Sequence, residues 1–189
     1  MNNLAETYRL ATWFDKAEPL FKRSLMIRKT LFGEQHQDVA ITLNNLATLY
    51  YEQGKLGESE VYFLKDNQIF TTLFGAKHPD VAATLNNLGS LYRDQQRYEE
   101  AIHCFNQCLE IRTEILSPKH PDLAVTLNNI GVLYQQIGKV YDAELCFLNS
   151  IQTLESTYDP EHPYILSALS NLTSLHAQIQ EDKTKEQAD

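Results

Sequence analysis

At 189 residues, 43% of them hydrophobic, the chain is long enough to bury a core, as one compact domain or as a short array. Its 16 basic and 25 acidic side chains give a formal charge of -9, which opposes phosphate backbones and anionic lipid, so no nucleic acid and no membrane surface is expected as partner. No apolar run approaches the roughly 18 residues of a membrane span, and the polar first residues are unlike a signal sequence. A cytoplasmic setting is therefore expected.

In chain order, the first element is the segment MNNLAETY, and its wording returns. TLNNLATLY starts at Thr42, TLNNLGSLY at Thr84, TLNNIGVLY at Thr126 and ALSNLTSLH at Ala168, each 42 residues after the last. Asp38 to Gln53 and Asp80 to Gln95 agree at eleven of sixteen positions. A period in this range means stacked supersecondary units with a continuous core. The expected organisation is a single array over residues 1–180. It comprises a partial repeat at 1–35, repeats at 36–77, 78–119 and 120–161, and a capping helix at 162–180. Met1 occupies the place of Leu43, so the first helix is expected to be short and frayed. Starting inside a repeat suggests a piece of a longer array, or an array fused to another domain.

Each repeat reads as two helices. From Asp80 to Gln95, Val81, Leu85, Leu88, Gly89 and Tyr92 fall on one stripe at 100° per residue, which predicts helix A. After Gln95, Gln96 and Arg97, the residues Tyr98, Ala101, Ile102, Phe105, Cys108 and Leu109 predict helix B. Gly54 and Gly138 sit between the two helices, where a left-handed residue ends helix A. Gln96 stands there in the middle repeat, so that turn is expected to be strained or differently shaped.

Between repeats the chain reads HQDV, HPDV, HPDL and HPYI from His36, His78, His120 and His162. Proline at the first helical position loses no hydrogen bond, and the following aspartate complements the helix dipole. Each histidine therefore marks a helix start. Equivalent positions lie two helix widths apart, each roughly 8 to 10 Å, so the four histidines cannot share a metal ion. Cys104, Cys108 and Cys146 are an odd count on helices, without short CxxC spacing, and read as packed thiols. No metal and no cofactor is expected.

Leu85, Leu88, Gly89 and Tyr92, followed by Ala101 and Phe105, resemble the tetratricopeptide pattern, with leucine in place of its tryptophan. The period exceeds the usual 34 by eight residues, about two helical turns. A 42-residue unit with TLNNLAxLY, a turn and a closing HPDV is similar to the repeats of the kinesin light chain family and of bacterial proteins with such arrays. The resemblance implies an all-α fold, a right-handed superhelical solenoid of stacked antiparallel helix pairs. It also implies a concave groove lined by the A helices, which holds extended peptides and touches them through asparagines of the LNNL line. The matching residues are Asn44, Asn45, Asn86, Asn87, Asn128, Asn129 and Asn171, with Ser170 departing from the pattern. Thr48, Ser90, Val132 and Ser174 stand where related chaperone-binding arrays clamp a terminal carboxylate, which argues against that chemistry here.

The helical wheel supports a groove independently. With Leu43 at 0°, Leu46, Ala47 and Tyr50 lie within about 60°, while Asn44 and Asn45 fall near 100° and 200° and flank the face opposite the core. Ile41, Thr48 and Glu52 lie between them. Stacked copies would make a mostly polar strip whose amides donate to and accept from an extended backbone. Asparagine is disfavoured in helices by several tenths of a kcal/mol, so its repetition suggests a use. The alternative use is structural: one asparagine of each pair bonds a neighbouring helix and fixes register. Expected peptide contacts are the seven asparagines with Thr48, Ser90, Arg93 and Val132.

There is no GxSxG, HExxH, CxxC or glycine-rich phosphate loop, so no enzyme is expected. The expectation is a noncatalytic adaptor for a protein or peptide ligand. The alternatives are a regulatory or sensor module of a larger protein, and self-association through the terminal repeats. Residues 181–189 contain no hydrophobic residue except Ala188 and are expected to be disordered.

Overall fold

The computed structural model describes residues 1–186, and in the described residues all regular structure is helical. The helices group into two units, residues 1–97 and 98–189.

In the first unit, α1 (Asn2–Leu10) and α2 (Phe14–Phe32) form the partial repeat, α3 (Gln37–Glu52) and α4 (Leu56–Phe74) the next, and α5 (Pro79–Asp94) packs on α4. Its core joins Ala5, Ala17, Phe21, Leu46, Leu49 and Tyr50, flanked by Tyr8, Phe14 and Tyr62. The alanines matter as much as the aromatics, because a small side chain lets the facing helix approach closely. In the second unit α6 (Tyr98–Ile115) packs on α7 (Pro121–Gln136), α7 on α8 (Val140–Glu155), and α8 on α9 (Pro163–Glu186). Phe147 and Leu175 are fully buried there. An ideal Cβ on Gly131 would sit 2.6 Å from the Phe147 ring, so glycine is what admits the phenylalanine.

Helix starts fall where the histidine segments place them, and the histidine itself is the cap. The backbone N–H of Asp38, Asp80, Asp122 and Tyr164 donates to Nδ1 of His36, His78, His120 and His162 at 3.1 to 3.3 Å. Phe32, Phe74 and Tyr158 stack on three of these imidazoles with centroids 4.5, 4.6 and 3.8 Å away. Among the described residues no three metal-binding side chains gather.

Helix A ends on one recurring turn. Gly54 (φ 72°), Gln96 (φ 61°), Gly138 (φ 77°) and Thr12 (φ 59°) share the left-handed conformation, so the Gln96 turn has the glycine shape and carries the strain. The residue after this turn covers the tyrosine that closes helix A. Lys55 lies 5.4 Å over Tyr50, Arg97 4.2 Å over Tyr92, and Lys139 5.5 Å over Tyr134.

One boundary differs from expectation. α9 runs to Glu186 rather than ending near Gln180, so residues 181–186 of the expected disordered tail are helical, and 187–189 lie outside the described residues. Extending an existing helix needs no new nucleus, and Lys183 and Lys185 complement its C-terminal dipole.

Candidate functional site

The repeated asparagines divide into two kinds. Asn44 faces inward: its amide Nδ2 donates to Asp66 Oδ2 on α4 at 2.9 Å. Asn86 is only 9% exposed. Asn128 accepts, through Oδ1, from the amide of Asn171 on α9 at 3.0 Å. By contrast, Asn45 on α3 and Asn87 on α5 are half-buried and make no side-chain hydrogen bond among the described residues. Asn129 on α7 is also half-buried.

The remaining expected contacts also separate. Thr48 and Ser90 are half-buried, and their hydroxyls donate to the carbonyls of Asn44 (3.0 Å) and Asn86 (3.2 Å) one turn earlier. Their lone pairs stay on the polar face. Arg93 holds Asp94 through Nε at 2.9 Å and Nη2 at 2.8 Å. Val132 is half-buried and packs one side against the cluster of Ala143, Phe147 and Leu175, because a branched apolar side chain there is drawn to the core. Asn44, Asn86 and Asn128 are likewise turned to inward or ladder positions.

Along the edge of this face runs a ladder between residues 43 apart. Arg9 bonds Glu52 and the Tyr51 hydroxyl donates to Asp94 in the first unit, while Gln135 Nε2 donates to Gln178 Oε1 at 3.1 Å in the second. One residue more than the period links neighbouring A helices. Burial, with the bond to Asp94, pushes the Tyr51 phenol up to about 12. These rungs neutralise much of the charge of the edge.

Sequence reasoning misses Asp66. It is fully buried, and burial pushes its carboxyl up to about 6, with Asp80 the like charge nearby. Its Oδ2 meets Asn44 and Thr84, whereas Oδ1 has no hydrogen-bond partner among the described residues. A signal is available: the positions one period away hold Ser24, Cys108 and Ser150, so this is the acidic member of a buried row. Cys108 contacts the Thr126 hydroxyl at 3.5 Å, and Ser150 donates to the Ala124 carbonyl at 2.8 Å. The thiols are accordingly packing groups, and burial pushes Cys146 up to about 11.

The A helices thus present a face of short polar side chains on stacked helix pairs. The tetratricopeptide repeat family matches residues 1–65, 68–114 and 80–146, and the chain belongs to that family, whose repeats mediate protein–protein interaction and are typically noncatalytic. Among solved structures it is similar to BtubC (BKLC) from P. vanneervenii, 28% identical with a TM-score of 0.74 over 85% of this chain. The match spans 65% of that protein, just under two thirds of its length. It is also similar to a candidate kinesin light chain from Podosopora anserina with nearly identical TPR-like repeats, at 21% identity and TM-score 0.77, covering 98% of this chain and 88% of that one. A single-substitution form of that fungal protein gives 20% identity and 0.78 over the same shares. At these identities the fungal comparison shows the fold alone, a kinesin light chain-like repeat array. No curated protein matches.

Proposed function

We propose that the chain is a noncatalytic scaffold that holds an extended segment of a partner protein along the polar face of its A helices. Asn45, Thr48, Asn87, Ser90 and Arg93 are the contacts on the first unit, and Asn129 and Asn171 those on the second. The observation that carries this reading is the contrast within the two pairs of the first unit: Asn44 is bonded to Asp66 and Asn86 is buried, while Asn45 and Asn87, at equal register, keep amides without an internal partner among the described residues. An amide both donates and accepts, so a row of them matches a peptide backbone whatever its side chains. Ile41, 41% exposed, adds one apolar spot for a side chain of the segment.

The test is binding of a diverse peptide library to the wild type and to the Asn45, Asn87 and Asn129 triple alanine variant, with circular dichroism confirming helicity. Peptides that need the three amides support the proposal. A library in which every binder is indifferent to them contradicts it. A cytoplasmic setting belongs to the same proposal. It is supported by three cysteines that form no disulfide and by the lack, among the described residues, of a helix long and apolar enough to cross a membrane.

A further inference from the structure

The outer face of α8 carries Tyr141, Leu145 and Leu148, exposed at 87, 59 and 48%, spaced four and three residues apart and so on one stripe. The full three-residue stripe is absent from the equivalent positions of α2, α4 and α6. One period earlier on α6, in the same unit, stand Glu99, His103 and Asn106, all exposed, and on α2 stand Asp15, Pro19 and Lys22. On α4, Val61 and Leu64 occupy two of the three places, with Gly57 instead of the tyrosine.

Charge sets this stripe apart further. Residues 1–97 hold eleven basic and eleven acidic side chains, and residues 98–189 hold five and fourteen, so the whole formal charge of -9 belongs to the second unit. By helical angle Glu144 and Glu155 border the stripe on one edge and Asp142 on the other. Lys139 at the start of α8 and Lys183 of α9 are the basic neighbours. At its N-terminal end the stripe opens into a cleft of about 560 Å³, walled by Val140, Tyr141, Glu144, His176 and Ile179. His176 is held by Glu144 at 2.6 Å.

We infer that this stripe docks a cationic amphipathic helix of a partner protein, separately from the peptide face of the A helices. Its apolar residues, three and four apart, lie along Tyr141, Leu145 and Leu148, and its lysines or arginines meet Asp142, Glu144 and Glu155. A surface of one helix stripe places the contact in the weak, transient class.

The test uses three labelled synthetic helical peptides in fluorescence anisotropy. The first has a leucine stripe flanked by lysines, the second the same stripe flanked by glutamates, and the third has serines for the leucines of the first. The proteins are the wild type, a Tyr141→Ser, Leu145→Asn, Leu148→Asn variant, and the Asn45, Asn87, Asn129 triple alanine variant, each checked for helicity. The lysine peptide is expected to bind wild type and the triple alanine variant alike, to lose at least tenfold on the stripe variant, and to weaken with salt. The other two peptides are expected not to bind. Absence of saturable binding, equal binding by the glutamate peptide, or retention on the stripe variant would overturn the inference. So would sedimentation showing a wild-type dimer that the stripe variant abolishes, since the occupant would then be a second copy. Failure here leaves the A-helix proposal standing, because the triple alanine variant reports on that face independently.

Discussion

The carboxyl of Asp66 on α4 meets the hydroxyl of Thr84 on α5, whereas the equivalent threonines of the flanking repeats meet an arginine. Phe70 stands where those repeats have Arg28 and Arg112. Thr42 and Thr126 each donate to a carbonyl four residues back, Asp38 at 2.8 Å and Asp122 at 3.0 Å. Each then accepts from a guanidinium, Arg28 Nη1 at 2.8 Å and Arg112 Nη1 at 2.7 Å. Thr84 likewise donates to the Asp80 carbonyl at 2.9 Å. Its one hydrogen is therefore shared between the Asp80 carbonyl and Asp66 Oδ2, and no guanidinium donates to its lone pairs as one does to Thr42 and Thr126.

This arrangement makes the first unit sensitive to pH. Asp66 has a folded-state pKa of about 6, raised by burial from 3.8. Below the lower value it is neutral in both states and costs nothing. As pH rises from 3.8 to about 6 the unfolded chain ionises first, so stability falls, and above about 6 the loss is constant. The loss is about 2 to 3 kcal/mol. Asp66→Asn is expected to remove the fall and to be more stable than wild type at pH 7.5. Urea midpoints at pH 4.5 and 7.5 for both proteins check this, and equal pH dependence in both would refute it.

Gln96→Gly is expected to stabilise the chain by about 1 kcal/mol. Gln96 has φ 61° at an exposed turn where Gly54 and Gly138 do without a Cβ. A left-handed L-residue costs roughly 1 to 2 kcal/mol, offset in part by the greater freedom of unfolded glycine. A rise in denaturation midpoint, with unchanged circular dichroism, is the readout.

Gly131→Ala is expected to destabilise by about 1 to 3 kcal/mol, the usual cost of overpacking. The added methyl would stand 2.6 Å from Phe147 Cε1, and that ring is fully buried. Pairing it with Phe147→Leu, which makes room, should cost less than the two single changes summed. A double-mutant cycle measures the coupling, and strict additivity would contradict the contact.

Much of this architecture is legible because period and helix agree: a 42-residue repeat, a 100° stripe and a left-handed residue all mark the same boundaries. The role of the histidines is half legible. Their position announces a helix start, but an imidazole accepting through Nδ1 is not among the usual caps, so the cap itself needs coordinates. The asparagines show the deeper limit. A wheel places Asn44 and Asn45 symmetrically about one face, and nothing local breaks the tie. It is broken by Asp66, 22 residues on and one helix away, which bonds Asn44. The end of α9 escapes for a different reason: lack of apolar residues argues against packing, not against helix, and lysine and glutamate are good helix formers.

The most direct test separates the two kinds of asparagine. With any peptide selected on wild type, affinity and urea stability are measured for the Asn45→Ala, Asn87→Ala double variant and for Asn44→Ala. The first is predicted to lose at least tenfold in affinity with stability within about 0.5 kcal/mol of wild type. The second is predicted to lose about 1 to 3 kcal/mol in stability, since Asp66 loses a buried donor. Full affinity in a folded Asn45, Asn87 variant would contradict the claim that these amides face the partner.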